Sequence, residues 1–281
     1  MLRRFGLRGV ARMIRDRAVA SGVRLQLWAH PLRTHPALGM AVFIDALLAA
    51  TPRPEFEEVR RIHAWCHSRD RRPVEGRGGS TRIADCNFLY LLVRWLRPRM
   101  IFEVGTLIGT SASVMAQALI ENGDGGIVYT VDGSYTGFEP IEGQPIRRFT
   151  GQLSSVALET IRNEGGRIDL VFVDGAIGRR DIELLNEVKP RTSVIALHDY
   201  KLPAAKGVRN AWRFARELDG VERSFWVLPE RQGLGYEPIE GLRINSSVAV
   251  LLPEDWARAL TTARHRDPRL REQPSSSKGS G

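Results

Sequence analysis

The chain has 281 residues, of which 43% are hydrophobic and 26% charged, with 27 Gly, 15 Pro and a formal net charge of +9. These proportions exclude a collagen-like, low-complexity or wholly disordered polymer. The charge is concentrated at the ends: residues 1–35 carry eight Arg and one Asp, residues 264–281 five basic and two acidic groups, and the near-neutral body between them argues against a nucleic-acid groove across the fold.

Residues 2–20 can form a short basic helix whose apolar side is Leu2, Phe5, Leu7, Val10, Met13 and Ile14. That pattern suits weak contact with an anionic membrane surface, a targeting presequence or a solvated terminus. The first twenty residues lack the apolar core of a secretory signal, and no apolar run is long enough to span a bilayer. Two cysteines, Cys66 and Cys86, cannot form a disulfide scaffold, so a reducing, cytoplasmic setting is expected, peripheral to a membrane if residues 1–20 touch one.

Residues 38–67 read as helical, 69–80 as a charged Gly/Pro loop, and 83–97 as an apolar helix closed by Pro98. From residue 100 the texture alternates. Strands are expected at 100–105, 127–132, 145–151, 168–174, 193–199, 225–229 and 246–252. Helices are expected at 110–121, 153–163, 179–188 and 206–219. Continuous apolar strands between amphipathic helices predict an α/β fold, a mostly parallel seven-stranded sheet with helices on both faces and an N-terminal helical extension. The expected division is an extension over 1–80, a main domain over 81–256 and a flexible tail over 257–281.

Ligands of such sheets bind beyond the carboxyl ends of the strands. Four strand ends are polar there. The first is Glu103-Val104-Gly105-Thr106-Leu107-Ile108-Gly109-Thr110-Ser111. Its glycines permit a tight turn against a ligand, but Leu107 and Thr110 break the dinucleotide GxGxxG spacing, and no phosphate-binding GK[ST] follows. The second is Asp132, which can accept two ribose hydroxyls or cap Gly133-Ser134. The third and fourth are Asp174-Gly175 and His198-Asp199. Neighbouring strands would bring Asp174 and Asp199 together, a pair suited to a hard divalent cation or to loop capping. His198 can be a base, a ligand or a packed strand-end residue.

In this order, EVGTLIGTS, VD, VFVDG and ALHD resemble the class I S-adenosylmethionine-dependent methyltransferases over about residues 80–220. The closer resemblance is to the group of macrocin and rhamnosyl O-methyltransferases and cephalosporin hydroxylase-like proteins. It implies a Rossmann-like fold and S-adenosyl-L-methionine as cofactor. It further implies transfer to a hydroxyl of a small molecule or glycan, assisted by Mg2+, in a chain that can self-associate. By the resemblance, Glu103, Gly105, Thr106, Gly109, Thr110 and Ser111 embrace the methionine part, and Asp132 the ribose. Gly151 and Gln152, with Leu153 beside them, approach the adenine. Asp174 touches the cofactor and, with His198 and Asp199, holds the metal. Asp181 and Gly207-Val208 match further family positions. The family run Asp-Gly-Asp-His after the fourth strand is here Asp174-Gly175-Ala176-Ile177. Its second carboxylate and imidazole are missing, which leaves His198, Asp174, Tyr200 and Lys201 as candidate catalytic groups. The alternatives are a catalytically silent relative that binds the cofactor or a partner, and a nucleic-acid methyltransferase using the arginine-rich ends. The acceptor pocket is expected from residues 38–80 and 220–245.

Overall fold

The computed structural model describes residues 37–51, 54–70, 80–134, 137–199, 210, 213–214, 216–221, 224–228, 236–239, 242–244 and 247–256. The strands are β1 (Ala37–Gly39), β2 (Met100–Val104), β3 (Ile127–Asp132), β4 (Ile146–Thr150), β5 (Leu170–Val173), β6 (Val194–Leu197), β7 (Phe225–Leu228), β8 (Tyr236–Ile239), β9 (Leu242–Ile244) and β10 (Ala249–Leu252). The helices are α1 (Met40–Ala50), α2 (Phe56–Ser68), α3 (Ile83–Leu96), α4 (Thr110–Asn122), α5 (Ser154–Asn163) and α6 (Arg179–Val188).

One 8-stranded sheet runs β1-β7-β10-β6-β5-β2-β3-β4. Every pairing is parallel except the two made by β10. The chain therefore has the doubly wound α/β, Rossmann-like arrangement expected, with its topological switch between β2 and β5. The strand number differs from the expected seven. The additional strand is β1, the edge of the sheet, which pairs with β7 where a helix start was expected. A three-residue edge strand is too short to carry a period-2 signal. The single helix expected over 38–67 is two, α1 and α2, interrupted around Pro52 and Pro54, where proline disfavours helix in the residue before it. A separate antiparallel hairpin, β8 with β9, lies between the strands expected at 225–229 and 246–252, where none was anticipated.

Strand periodicity sorts the core into two layers. Ile101, Leu170, Phe172, Val194 and Ala196 pack with residues of α1 to α4. Phe102, Val104, Val171, Val173, Ile195 and Leu197 pack with α5, α6, Phe214 and Leu218. Helix α3 is enclosed: every residue from Asp85 to Val93 is buried, as its all-round apolar sequence requires. Phe43 of α1 lies 6.1 Å from the Phe88 ring and meets Trp95 edge-on at 5.9 Å. Each such buried ring contributes roughly 1.5–3 kcal/mol. Of the helix expected over 206–219, Asn210, Arg213, Phe214, Arg216 and Glu217 are described and helical.

Among the described residues, no helix is long and apolar enough to cross a membrane. Residues 1–20, the tail from 257, and Tyr200, Lys201, Gly207 and Val208 lie outside the described residues, with the expectations attached to them.

Candidate functional site

A cleft of about 470 Å³ opens at the carboxyl ends of β2, β3, β5 and β6. Val104, Gly105 and Leu107 line it from β2, and Val131, Asp132 and Gly133 from β3. Gln152, Leu153 and Ser154 come from the start of α5, and Asp174, Gly175, Ala176 and Asp199 from the ends of β5 and β6. Its position at the switch and its size are those of a small-molecule site. All four polar strand ends singled out in the sequence border this one cleft.

The turn after β2 explains why glycine stands there. Gly105 has φ +105, and a Cβ on it would sit 3.0 Å from the Asp174 carbonyl carbon. Gly109 has φ +74, and a Cβ would lie 2.2 Å from the Phe138 ring. Between them Leu107 holds a left-handed φ of 48, a conformation that costs a non-glycine residue free energy. Asp132 fixes it: Oδ2 accepts the Leu107 N–H at 2.9 Å while Oδ1 accepts the Ser134 N–H at 2.9 Å. The cap on Gly133-Ser134 weighed as an alternative for Asp132 is therefore real, and the same carboxylate borders the cleft.

Glu103, Thr106, Thr110 and Ser111 were expected around the cofactor. Their side chains are buried and none lines the cleft. Ser111 Oγ and Thr130 Oγ1 each donate to the Glu103 carboxyl at 2.5 Å, and Thr106 Oγ1 lies 2.6 Å from Thr130 Oγ1. This chain ties the turn, α4 and β3 together beneath the cleft. Burial pushes the Glu103 carboxyl up to about 8, against the two hydroxyl bonds that stabilise its charged form. Gly151 is exposed with φ +69 beside the lining residue Gln152. Leu153, 70% exposed, presents bare apolar surface to the cleft.

At the β5–β6 end, alternation along β6 turns His198 toward α3. The ring is 6% exposed. Its Nδ1 lies 3.0 Å from Asp174 Oδ1 and 3.4 Å from Asp199 Oδ1, and its Nε2 lies 3.3 Å from Asp85 Oδ2. Burial alone would lower its pKa; the hydrogen bonds and charges of Asp174 and Asp85 outweigh it and push it up to about 10. Without a metal, His198 at neutral pH is thus an imidazolium between carboxylates. Asp85 is fully buried and responds the opposite way to Glu103. Burial works to raise it, but the His198 bond and charge, with the Ser247 N–H, hold it below the usual carboxylate range.

Asp174, His198 and Asp199 each offer one ligand atom, all within 4.8 Å of one another. Two carboxylates and one imidazole form a donor set that a divalent cation accepts, and an ion at Nδ1 would take the place of that nitrogen's proton. Asp199 holds this position at φ 56, a strained value for a non-glycine residue at a strand end.

The departure at residues 176 and 177 has a structural counterpart. Ala176 borders the cleft, while Ile177 is 4% exposed and belongs to the layer under α5 and α6. The loop is held from outside the cleft. Asp181 accepts the Gly178 N–H at 2.6 Å, Asn210 Nδ2 donates to the Gly175 carbonyl at 2.9 Å, and Arg213 donates to the Ile177 carbonyl. Ser154 and, above all, Asp85 and Ser247 stand outside the strand-end motifs of the sequence. The available signal was a lone acid inside the apolar run IADCNFLYLLVRWL.

Residues 102–200 match the family model described as Methyltransferase domain. That description is broader than the macrocin and rhamnosyl group. No curated protein matches the chain. Among solved structures it is similar to an O-methyltransferase from Bacillus cereus in complex with SAH, at 19% identity and TM-score 0.46, covering 70% of this chain and 90% of that one. It is similar to the O-methyltransferase TomG from Streptomyces achromogenes, involved in tomaymycin synthesis and in complex with SAM, at 15% identity and TM-score 0.45, covering 73% and 92%. A methyltransferase from Geobacter sulfurreducens is similar at 16% identity and TM-score 0.46, covering 74% and 92%.

Proposed function

We propose that the chain is an S-adenosylmethionine-dependent methyltransferase that acts on a hydroxyl of a small molecule or glycan, with a divalent cation such as Mg2+ at the acceptor end. The observation that carries the reading is the cleft bordered by Gly105, Asp132, Gln152 and Asp174, inside the segment that matches a methyltransferase domain. The chemistry of its walls fits the cofactor. Asp132 keeps lone pairs for ribose hydroxyls beyond the two N–H groups that it accepts. Leu153 offers an uncovered apolar surface to a flat base, and Gln152 an amide beside it.

The cofactor supplies an electrophilic methyl group on a sulfonium sulfur. The chain then has to hold an acceptor oxygen in line and take its proton. Asp174 and Asp199 suit that end of the cleft, as acceptors for the hydroxyl and as ligands for a cation that lowers its pKa. His198, with its ring nitrogens on Asp174 and Asp85, is held between carboxylates rather than free to take the hydroxyl proton. The motifs favour the macrocin and rhamnosyl O-methyltransferase group as the finer assignment.

Incubation with S-adenosylmethionine, Mg2+ and a panel of phenolic, aliphatic and sugar alcohols should yield S-adenosylhomocysteine with at least one class, and chelator should reduce the yield. Transfer to amines or nucleic acid, with none to any hydroxyl, would overturn the O-methylation reading.

A further inference from the structure

The carboxylate that no strand-end motif points to is Asp85. It sits in the first turn of α3, outside the segment that matches the methyltransferase domain, and its side chain is fully buried. Two distant parts of the chain converge on it, and a neighbouring arginine joins them. His198 Nε2, after β6, lies 3.3 Å from Oδ2. The Ser247 N–H, before β10, donates to Oδ1 at 2.6 Å, and Ser247 Oγ lies 3.2 Å from the same oxygen. Arg82 Nε approaches Oδ2 at 3.3 Å from the exposed side.

A buried carboxylate is a costly way to join helix and strand, since well-packed apolar residues often serve at least as well. What Asp85 adds is direction. With Nε2 held by Asp85, Nδ1 has one orientation, and that orientation faces Asp174 Oδ1 at 3.0 Å and Asp199 Oδ1 at 3.4 Å. Carboxylate, imidazole and rim carboxylates stand in one line from the core to the cleft. Ligating histidines characteristically donate their second ring N–H to a carboxylate in this way.

We propose that Asp85 is a positioning residue for the acceptor end of the cleft: it fixes the His198 ring so that Nδ1 joins Asp174 and Asp199 in a divalent-cation site. This rests on the cation reading above. The substrate-facing groups are Asp174, Asp199 and His198; Asp85 acts through His198 alone.

The test uses the full chain, Mn2+ alone as probe, and the variants Asp85→Asn, Asp85→Leu and Asp174→Asn, each checked for folding by circular dichroism. Calorimetry should show Mn2+ bound by wild type and lost in Asp174→Asn. Asp85→Leu should weaken Mn2+ by about 10–100-fold. Asp85→Asn, which keeps an acceptor oxygen for Nε2–H, should weaken it less. In the metal-free protein, nitrogen NMR of labelled histidine should show a protected His198 Nε2–H that persists in Asp85→Asn, shifted, and disappears in Asp85→Leu. Unchanged Mn2+ affinity in both Asp85 variants while Asp174→Asn loses it would overturn the positioning role and leave the cation reading standing. Absence of Mn2+ binding by wild type would sink the cation reading and, with it, the cation-site role of Asp85. Ring signals unchanged in both Asp85 variants would overturn the proposal in either case, and if Asp85→Leu does not fold, Asp85→Asn carries both readouts.

Discussion

Glu103 and Asp85 are two fully buried carboxyls beneath the same layer of helices, one under the β2–β3 half of the cleft and the other under the β5–β6 half. Burial acts on both in the same direction, yet Glu103 is pushed up to about 8 and Asp85 is held below its ordinary value. The partners decide. Glu103 meets two neutral hydroxyls and the nearby charges of Asp174 and Asp132. Asp85 meets an imidazolium and a backbone N–H. The β2–β3 half is thus a neutral, hydroxyl-braced floor under a backbone turn, whereas the β5–β6 half is a charged line running from the core to the rim.

The sharpest way to break this contrast is to remove the charged floor. Asp85→Leu should destabilise the chain by about 3–5 kcal/mol, the range for deleting one partner of a buried ion pair; urea unfolding reads it, and a loss under about 1 kcal/mol would argue that the pairing adds little. Next comes the backbone of the neutral half. Gly109→Ala places a side chain at φ +74 against Phe138, and should cost about 1–3 kcal/mol and weaken cofactor binding through the displaced turn. Asp132→Ala should lower S-adenosylhomocysteine affinity roughly 30-fold, because two ribose hydrogen bonds at about 1 kcal/mol each are lost along with its hold on Leu107; unchanged affinity would remove Asp132 from the ribose.

The pH profile of stability tests the contrast most finely. A carboxyl raised from 4.5 to about 8 means that the folded chain keeps a proton that the unfolded chain releases. Stability from Glu103 therefore falls as pH rises through that window and is level above it. Glu103→Gln should flatten that slope. His198, raised from 6.5 to about 10, stabilises fully below 6.5 and loses that contribution as pH climbs toward 10. Asp85 contributes above its unfolded value of 3.8, and its contribution is lost as pH falls through the lowered folded value. Unfolding midpoints across pH for wild type and Glu103→Gln separate these contributions; parallel profiles between 4.5 and 8 would contradict the raised Glu103.

How much of this was legible in the sequence follows the same division. The apolar strands β2, β3, β5 and β6 declared themselves because both faces are covered, and their polar ends marked the rim. α6 occupies the residues expected of it, where amphipathic spacing is clear. What the sequence hid was non-local or too short. β1 has three residues, and the β8–β9 hairpin lies in a stretch without alternation. By the resemblance Glu103, at the end of an expected strand, faces the cofactor, but strand alternation points it inward beneath α4. The link from Asp85 to His198 spans 113 positions and involves no motif. A lone acid in an apolar helix signals a buried partner without saying which.

The account depends first on the cleft holding S-adenosylmethionine. Calorimetric titration of the folded chain with S-adenosylhomocysteine tests this most directly. One-to-one binding is expected, weakened in Asp132→Ala and preserved when Asp174 and Asp199 are both changed to Asn. A folded wild-type chain that binds none, or an Asp132→Ala variant that binds as well as wild type, would contradict it.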